Sequence, residues 1–101
     1  MFIKEKMTQY GICAKYWKIR YITIDTAMKE ASFTLNLFLT QDAPTAIEDI
    51  CVADFMGKED KTLWNEYFGE GLKNFKDAYD ACYSYAQKYV EYFKDAERID
   101  G

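Results

Sequence analysis

Apolar and aromatic residues recur at Leu72, Phe75, Tyr79, Cys82, Ala86, Tyr89 and Phe93, separated alternately by three and four positions. Those steps bracket the helical turn and return each side chain to one side, so the spacing predicts a single amphipathic helix from Leu72 to Phe93. On a wheel of about 100° per residue, Tyr83 and Val90 join the same arc, while Lys73, Asp77, Asp80, Ser84, Gln87, Lys88 and Glu91 lie opposite. A second stripe, Ala78, Tyr85 and Tyr92, stacks along the arc's edge. Two-stranded coiled coils favour Leu and β-branched residues at their seam. This seam alternates rings with Ala and Cys, so the helix is expected to lie across a sheet.

The sheet is written in the first half of the chain. From Cys13 to Asp25 the run CAKYWKIRYITID is rich in β-branched and aromatic residues, with Trp17, Ile19, Tyr21 and Thr23 on one parity and Lys18 and Arg20 on the other. The alternation fails over Tyr21 to Ile24, where both parities are apolar. Either that end is covered on both faces, or a bulge shifts the phase. A second alternating run, Ala31 to Thr40, sets Phe33, Leu35, Leu37 and Leu39 on one face and Ser32, Thr34, Asn36 and Phe38 on the other. The two runs form an antiparallel hairpin, and the lack of an Asn-Gly or Asp-Gly pair between them predicts a loop longer than two residues.

The only proline, Pro44, sits in Gln41 to Thr45 and marks the clearest break. Ile47 to Phe55 reads as a third strand centred on Ile50 to Ala53 or as a short helix, with a turn at Met56 and Gly57. A short helix follows, with Asp60 or Thr62 as N-cap and Leu63, Trp64, Tyr67 and Phe68 on it, stopped by Gly69 and Gly71 through the left-handed conformation glycine accepts. Residues 1–11 are either a short first strand or a tail, and residues 94–101 are charged and expected to fray. The expectation is one α+β domain over residues 1–101: a small antiparallel sheet packed by a short helix and a long C-terminal helix.

Length supports that count, since two cores in 101 residues would leave each near the floor of about 40 residues at which staples become necessary. The chain is 50% hydrophobic and 18% aromatic, with nine Tyr and seven Phe. One small core cannot hide so many rings, and half-exposed Tyr and Trp suit protein contacts. Two readings of the Ala78, Tyr85 and Tyr92 stripe follow: extra packing beneath the Gln41 to Thr45 loop, or a partner surface, where self-association is expected.

A net charge of −4 repels a phosphate backbone, which disfavours nucleic acid as a partner. The basic, aromatic strand is still the best candidate for such binding, because Tyr16, Lys18 and Arg20 would share a face able to stack bases and neutralise phosphate. The bland alternative is a solvent-facing strand whose cations cover rings and discourage edge pairing.

Histidine is absent, which removes the commonest general base and transition-metal ligand. Gly57, Gly69 and Gly71 do not form a phosphate-binding fingerprint. The carboxylate pairs Glu48 with Asp49, Glu59 with Asp60 and Asp77 with Asp80 read as solvated surface. Cys13, Cys51 and Cys82 are odd in number and far apart, so reduced, buried thiols are expected. No catalytic residue, metal or cofactor is expected. No run approaches the roughly 18 apolar residues of a membrane span, and MFIKEKMTQYG has no apolar h-region, so a cytoplasmic chain with no membrane partner is expected.

The runs YWKIRYITID and ASFTLNLFLTQDA, followed by NFKDAYDACYSYA with Lys76, Asp77, Ala78 and Tyr79 at its core, resemble small proteins encoded in the tail-assembly modules of tailed bacteriophages and prophages. The resemblance spans the layout from Lys15 to Ala86. It implies a non-catalytic role in virion structure or assembly, in the host cytoplasm or the assembled virion, and transfers no functional residue. The aromatic second half of the helix departs from that group's shorter helices.

Overall fold

The computed structural model describes residues 1–52 and 62–99. Among these described residues, five strands make one antiparallel sheet: β1 (Phe2–Met7), β2 (Cys13–Asp25), β3 (Glu30–Phe38), β4 (Glu48–Val52) and β5 (Glu97–Arg98), in spatial order β4-β3-β2-β1-β5. Between β4 and β5 come α1 (Thr62–Tyr67), a 3₁₀ turn (Glu70–Asn74), α2 (Ala78–Tyr89) and a second 3₁₀ turn (Glu91–Phe93). The fold is α+β, as the patterning predicts. The turn expected at Met56 and Gly57, the cap at Asp60 and the pair Glu59 with Asp60 lie outside the described residues.

A bulge explains the broken alternation in β2. Trp17 and Ile19 stand opposite Leu37 and Leu35, and then Tyr21, not Arg20, stands opposite Thr34. One extra residue in β2 flips the parity. Ile22 and Ile24 thereby come to face Phe33 and Ala31, and the four residues Tyr21 to Ile24 are divided between faces. The third segment is indeed a strand, β4, with Ile50 opposite Leu35. Four residues separate the paired Asp25 and Glu30, and Lys29 takes a left-handed conformation (φ 57°) there.

Residues 1–11 form a strand and turn, not a tail. Phe2 is fully buried, stacked 5.0 Å from Phe93 and edge-on to Tyr83 at 5.3 Å. Gly11 closes the β1–β2 turn at φ 76°, a conformation that favours glycine, with its N–H donated to the Thr8 carbonyl at 3.1 Å.

The chain's other end corrects the expectation of fraying. Arg98 pairs with Phe2 and Glu97 with Ile3, the Ile99 N–H donates to the Met1 carbonyl at 3.0 Å, and Ala96 is buried. Closing the sheet across the two termini satisfies backbone groups of β1 that would otherwise form an open edge.

The expected helix from Leu72 to Phe93 is three segments, with α2 occupying the middle. Asp77, in extended conformation, caps α2 by accepting the Asp80 N–H at 2.8 Å. Phe75 is also extended, and its ring stacks on Tyr67 at 5.5 Å. At the far end Val90 leaves the helix, which carries Tyr92 and Phe93 to Trp17 at 5.6 and 5.3 Å. Leu72, Phe75, Cys82, Ala86 and Phe93 of the three-and-four spacing still meet one core, because every segment packs against it. Helix α1 does end before Gly69 and Gly71, but neither glycine has a positive φ. Gly71 is required by proximity, since a Cβ there would collide with the Glu66 carbonyl.

Candidate protein-interaction surface

The stripe Ala78, Tyr85 and Tyr92 is not a free surface. Tyr85 is only 8% exposed, with its ring 6.4 Å from Phe33, 5.4 Å from Tyr67 and 4.7 Å from Tyr89. Ala78 and Tyr92 are half-buried against the same core. Tyr92 lies beyond α2, and its ring carries the Lys4 ammonium 4.1 Å from its centre while its carbonyl accepts from the same Nζ at 2.6 Å. Conversely, Tyr79 and Tyr89, which the wheel assigns to the core arc, are exposed. Helix α2 is rotated so that Ala81, Cys82, Tyr85 and Ala86 meet the sheet. The signal for that rotation is the cluster of small side chains, which lets the helix approach closely. In the Gln41 to Thr45 loop, which one reading placed over Tyr85, the Gln41 carbonyl is held by Lys18.

Tyr16, Lys18 and Arg20 do gather on one side of the sheet, around Phe38. Tyr16 pairs opposite Phe38, and the Lys18 and Arg20 cations lie 5.8 and 6.0 Å from its ring centre. Phe38 is only 4% exposed. The cations therefore roof a ring on the face opposite the helices, the aliphatic stems covering apolar surface and the charged heads staying in water.

The sequence pattern passed over the β2–β3 arm. Pairing between β1 and β2 ends at Phe2 with Trp17, and the next outward amide, that of Ile19, donates to the Tyr83 hydroxyl at 2.9 Å. From there to Asp25, β2 pairs only with β3 among the described residues. Tyr21 is 65% and Ile24 41% exposed on this stretch. The Asp25 carboxylate holds the turn by accepting from the Ala27 and Met28 N–H groups at 3.1 and 3.0 Å. Exposed apolar side chains and an unpaired strand edge thus occur together. The failure of alternation over Tyr21 to Ile24 was the available signal, because an apolar residue on each parity leaves one of them uncovered.

Two carboxylates of the pairs singled out by the sequence hold the fold. Glu48 accepts from Lys6 at 2.6 Å and from the Gln9 N–H at 3.3 Å, and the Lys6 hydrogen bond foremost holds its carboxyl below the ordinary range. Asp80 accepts the Lys76 backbone N–H at 3.0 Å and pairs with Arg98, which also donates to the Ser84 hydroxyl at 2.9 Å. The Lys76 amide first, then Arg98, lowers the Asp80 carboxyl. A general acid needs the opposite shift. The cavity beside this cluster, 160 Å³, is below the size range of small-molecule sites. Cys13 is exposed, contrary to the expectation of buried thiols, and desolvation together with the Glu5 carboxylate pushes its thiol up, away from the reactive thiolate. Cys82 is buried as expected, and the Cys51 side chain lies outside the described ones. Among the described residues no group of three His, Cys, Asp or Glu could hold a metal, and no helix is long and apolar enough to cross a membrane. No protein-family model matches the chain, and no curated protein or solved structure matches it.

Proposed function

We propose that the chain is a non-catalytic structural or interaction protein that docks through its β2–β3 arm, in the assembly of a phage or prophage particle. The observation that carries the docking reading is the coincidence of exposed Tyr21 and Ile24 with a strand edge left unpaired by the described residues. Tyrosine supplies large contact area with few rotatable bonds, and an open edge supplies backbone hydrogen bonds, the two ingredients of strand-mediated recognition. The phage setting rests on the resemblance of the hairpin and helix runs, and places the protein in the host cytoplasm or the virion.

Single-stranded nucleic acid is the weaker reading. Stacking bases on the Tyr16, Lys18 and Arg20 face would require Lys18 to release Gln41 and uncover Phe38, against a net charge of −4.

The test is photocrosslinking in cells carrying the native gene, with p-benzoylphenylalanine at position 21 in one form and at exposed position 66 in another. A covalent protein adduct, with another copy or a different protein, is expected from position 21 and not from 66. An adduct from neither position removes the arm as a contact.

A further inference from the structure

We infer that the occupant of the β2 edge is the same edge of a second copy, paired antiparallel about a two-fold axis at Thr23. The inference rests on the arm being the contact, and names what it contacts. An exposed strand edge templates pairing unless lysine, proline or an inward charge blocks it. Between Arg20 and Asp25 the edge reads Tyr21, Ile22, Thr23 and Ile24, with strong β propensity and no such block. The two ends of that stretch carry opposite charges, so antiparallel self-pairing is electrostatically complementary, whereas a parallel arrangement would bring like charges together.

Symmetry narrows the register. A two-fold axis between antiparallel edges runs perpendicular to the sheet and preserves its faces, so a residue can stand opposite itself or opposite one an even number of positions away. With Thr23 on the axis, Ile22 faces Ile24 of the second copy on the core side and extends the apolar layer that Phe33 and Ala31 begin. On the other side Tyr21 faces Asp25 of the second copy. The Arg20 guanidinium, 5.5 Å from the Tyr21 ring and displaced by the bulge, lies next to that carboxylate. The interface is isologous and closes at two copies. The Tyr83 hydroxyl on the Ile19 amide terminates it where β1 begins.

Thr23 is exposed, opposite Ser32 on β3, so charge can be placed there without entering the core. Light scattering at high protein concentration should read twice 11.9 kDa for the wild type, 11.9 kDa for Thr23→Lys and Thr23→Glu alone, and the doubled mass again when the two variants are mixed in equal amounts. Like charges at a self-paired position repel and opposite ones attract, so recovery on mixing marks position 23 as the axis. A wild type at 11.9 kDa, variants that stay dimeric, or a mixture that stays monomeric would each overturn the inference. A monomeric wild type that crosslinks a different protein from position 21 would overturn self-pairing and leave arm docking standing; a monomer with no adduct would remove both.

Discussion

The Tyr83 hydroxyl accepts the Ile19 backbone N–H at 2.9 Å, two residues past Trp17, the last residue of β2 that β1 covers. A side chain from α2 thus takes the place a strand would have occupied. The same ring lies edge-on to Phe2 and 5.7 Å from the Arg98 guanidinium, so one residue joins the helix, both terminal strands and the β2 edge.

Tyr83→Phe keeps the ring and removes only the acceptor. An orphaned, partly buried amide costs about 1 to 2 kcal/mol, so the urea midpoint should fall with the slope unchanged. The Ile19 amide should also exchange faster with solvent. An unchanged midpoint with Ile19 still protected would mean that another group satisfies this edge.

Tyr85 belongs to the core, and that places its substitution among stability effects. Tyr85→Ser should lower stability by about 3 kcal/mol, on the scale of other buried ring deletions. Tyr21→Ser, at an exposed position of the single chain, should stay within about 0.5 kcal/mol when measured at a dilution where the chain is monomeric. Chemical denaturation of the two variants separates them; equal stability would contradict the burial of Tyr85 against Phe33 and Tyr67.

Alkaline pH should unfold the protein. Burial foremost, then the Glu66 carboxylate, pushes the Tyr67 hydroxyl from 10.0 up to about 12, and burial foremost, then Asp77, pushes the Cys82 thiol from 9.0 up to about 12. The unfolded chain loses these protons first, so it binds fewer than the folded chain as pH rises, and the slope of stability against pH is negative. The contribution is fully present below pH 9 and is lost between there and about 12. Circular dichroism with tyrosinate absorbance should show ionisation of the last tyrosine coinciding with unfolding, and Cys82→Ala should flatten the early part of the decline. Stability constant from pH 9 to 12 would contradict it.

Much of the sheet was legible because strand periodicity is local. Phe33, Leu35 and Leu37 declare one buried face with no knowledge of their partners, and β2 declares another up to its bulge. The β2–β3 arm was half legible: the broken alternation announced either double cover or a bulge, and only the register with β3 distinguished them. The aromatic stripe misled because tyrosine has an apolar body and a polar tip, and suits a core margin as well as a surface.

The sequence by itself determined the class of each long segment, the α+β outcome and the absence of a histidine-based site, since these follow from local periodicity and from which functional groups exist. Only the tertiary structure decided that residues 97–99 return to β1, that α2 turns Tyr85 inward and Tyr79 outward, and that β2 runs past β1 with an edge the described residues leave unpaired. Periodicity carries the spacing of a face but not its absolute rotation, and strand pairing between Phe2 and Arg98 depends on backbone groups that every residue shares, leaving no mark in the side chains.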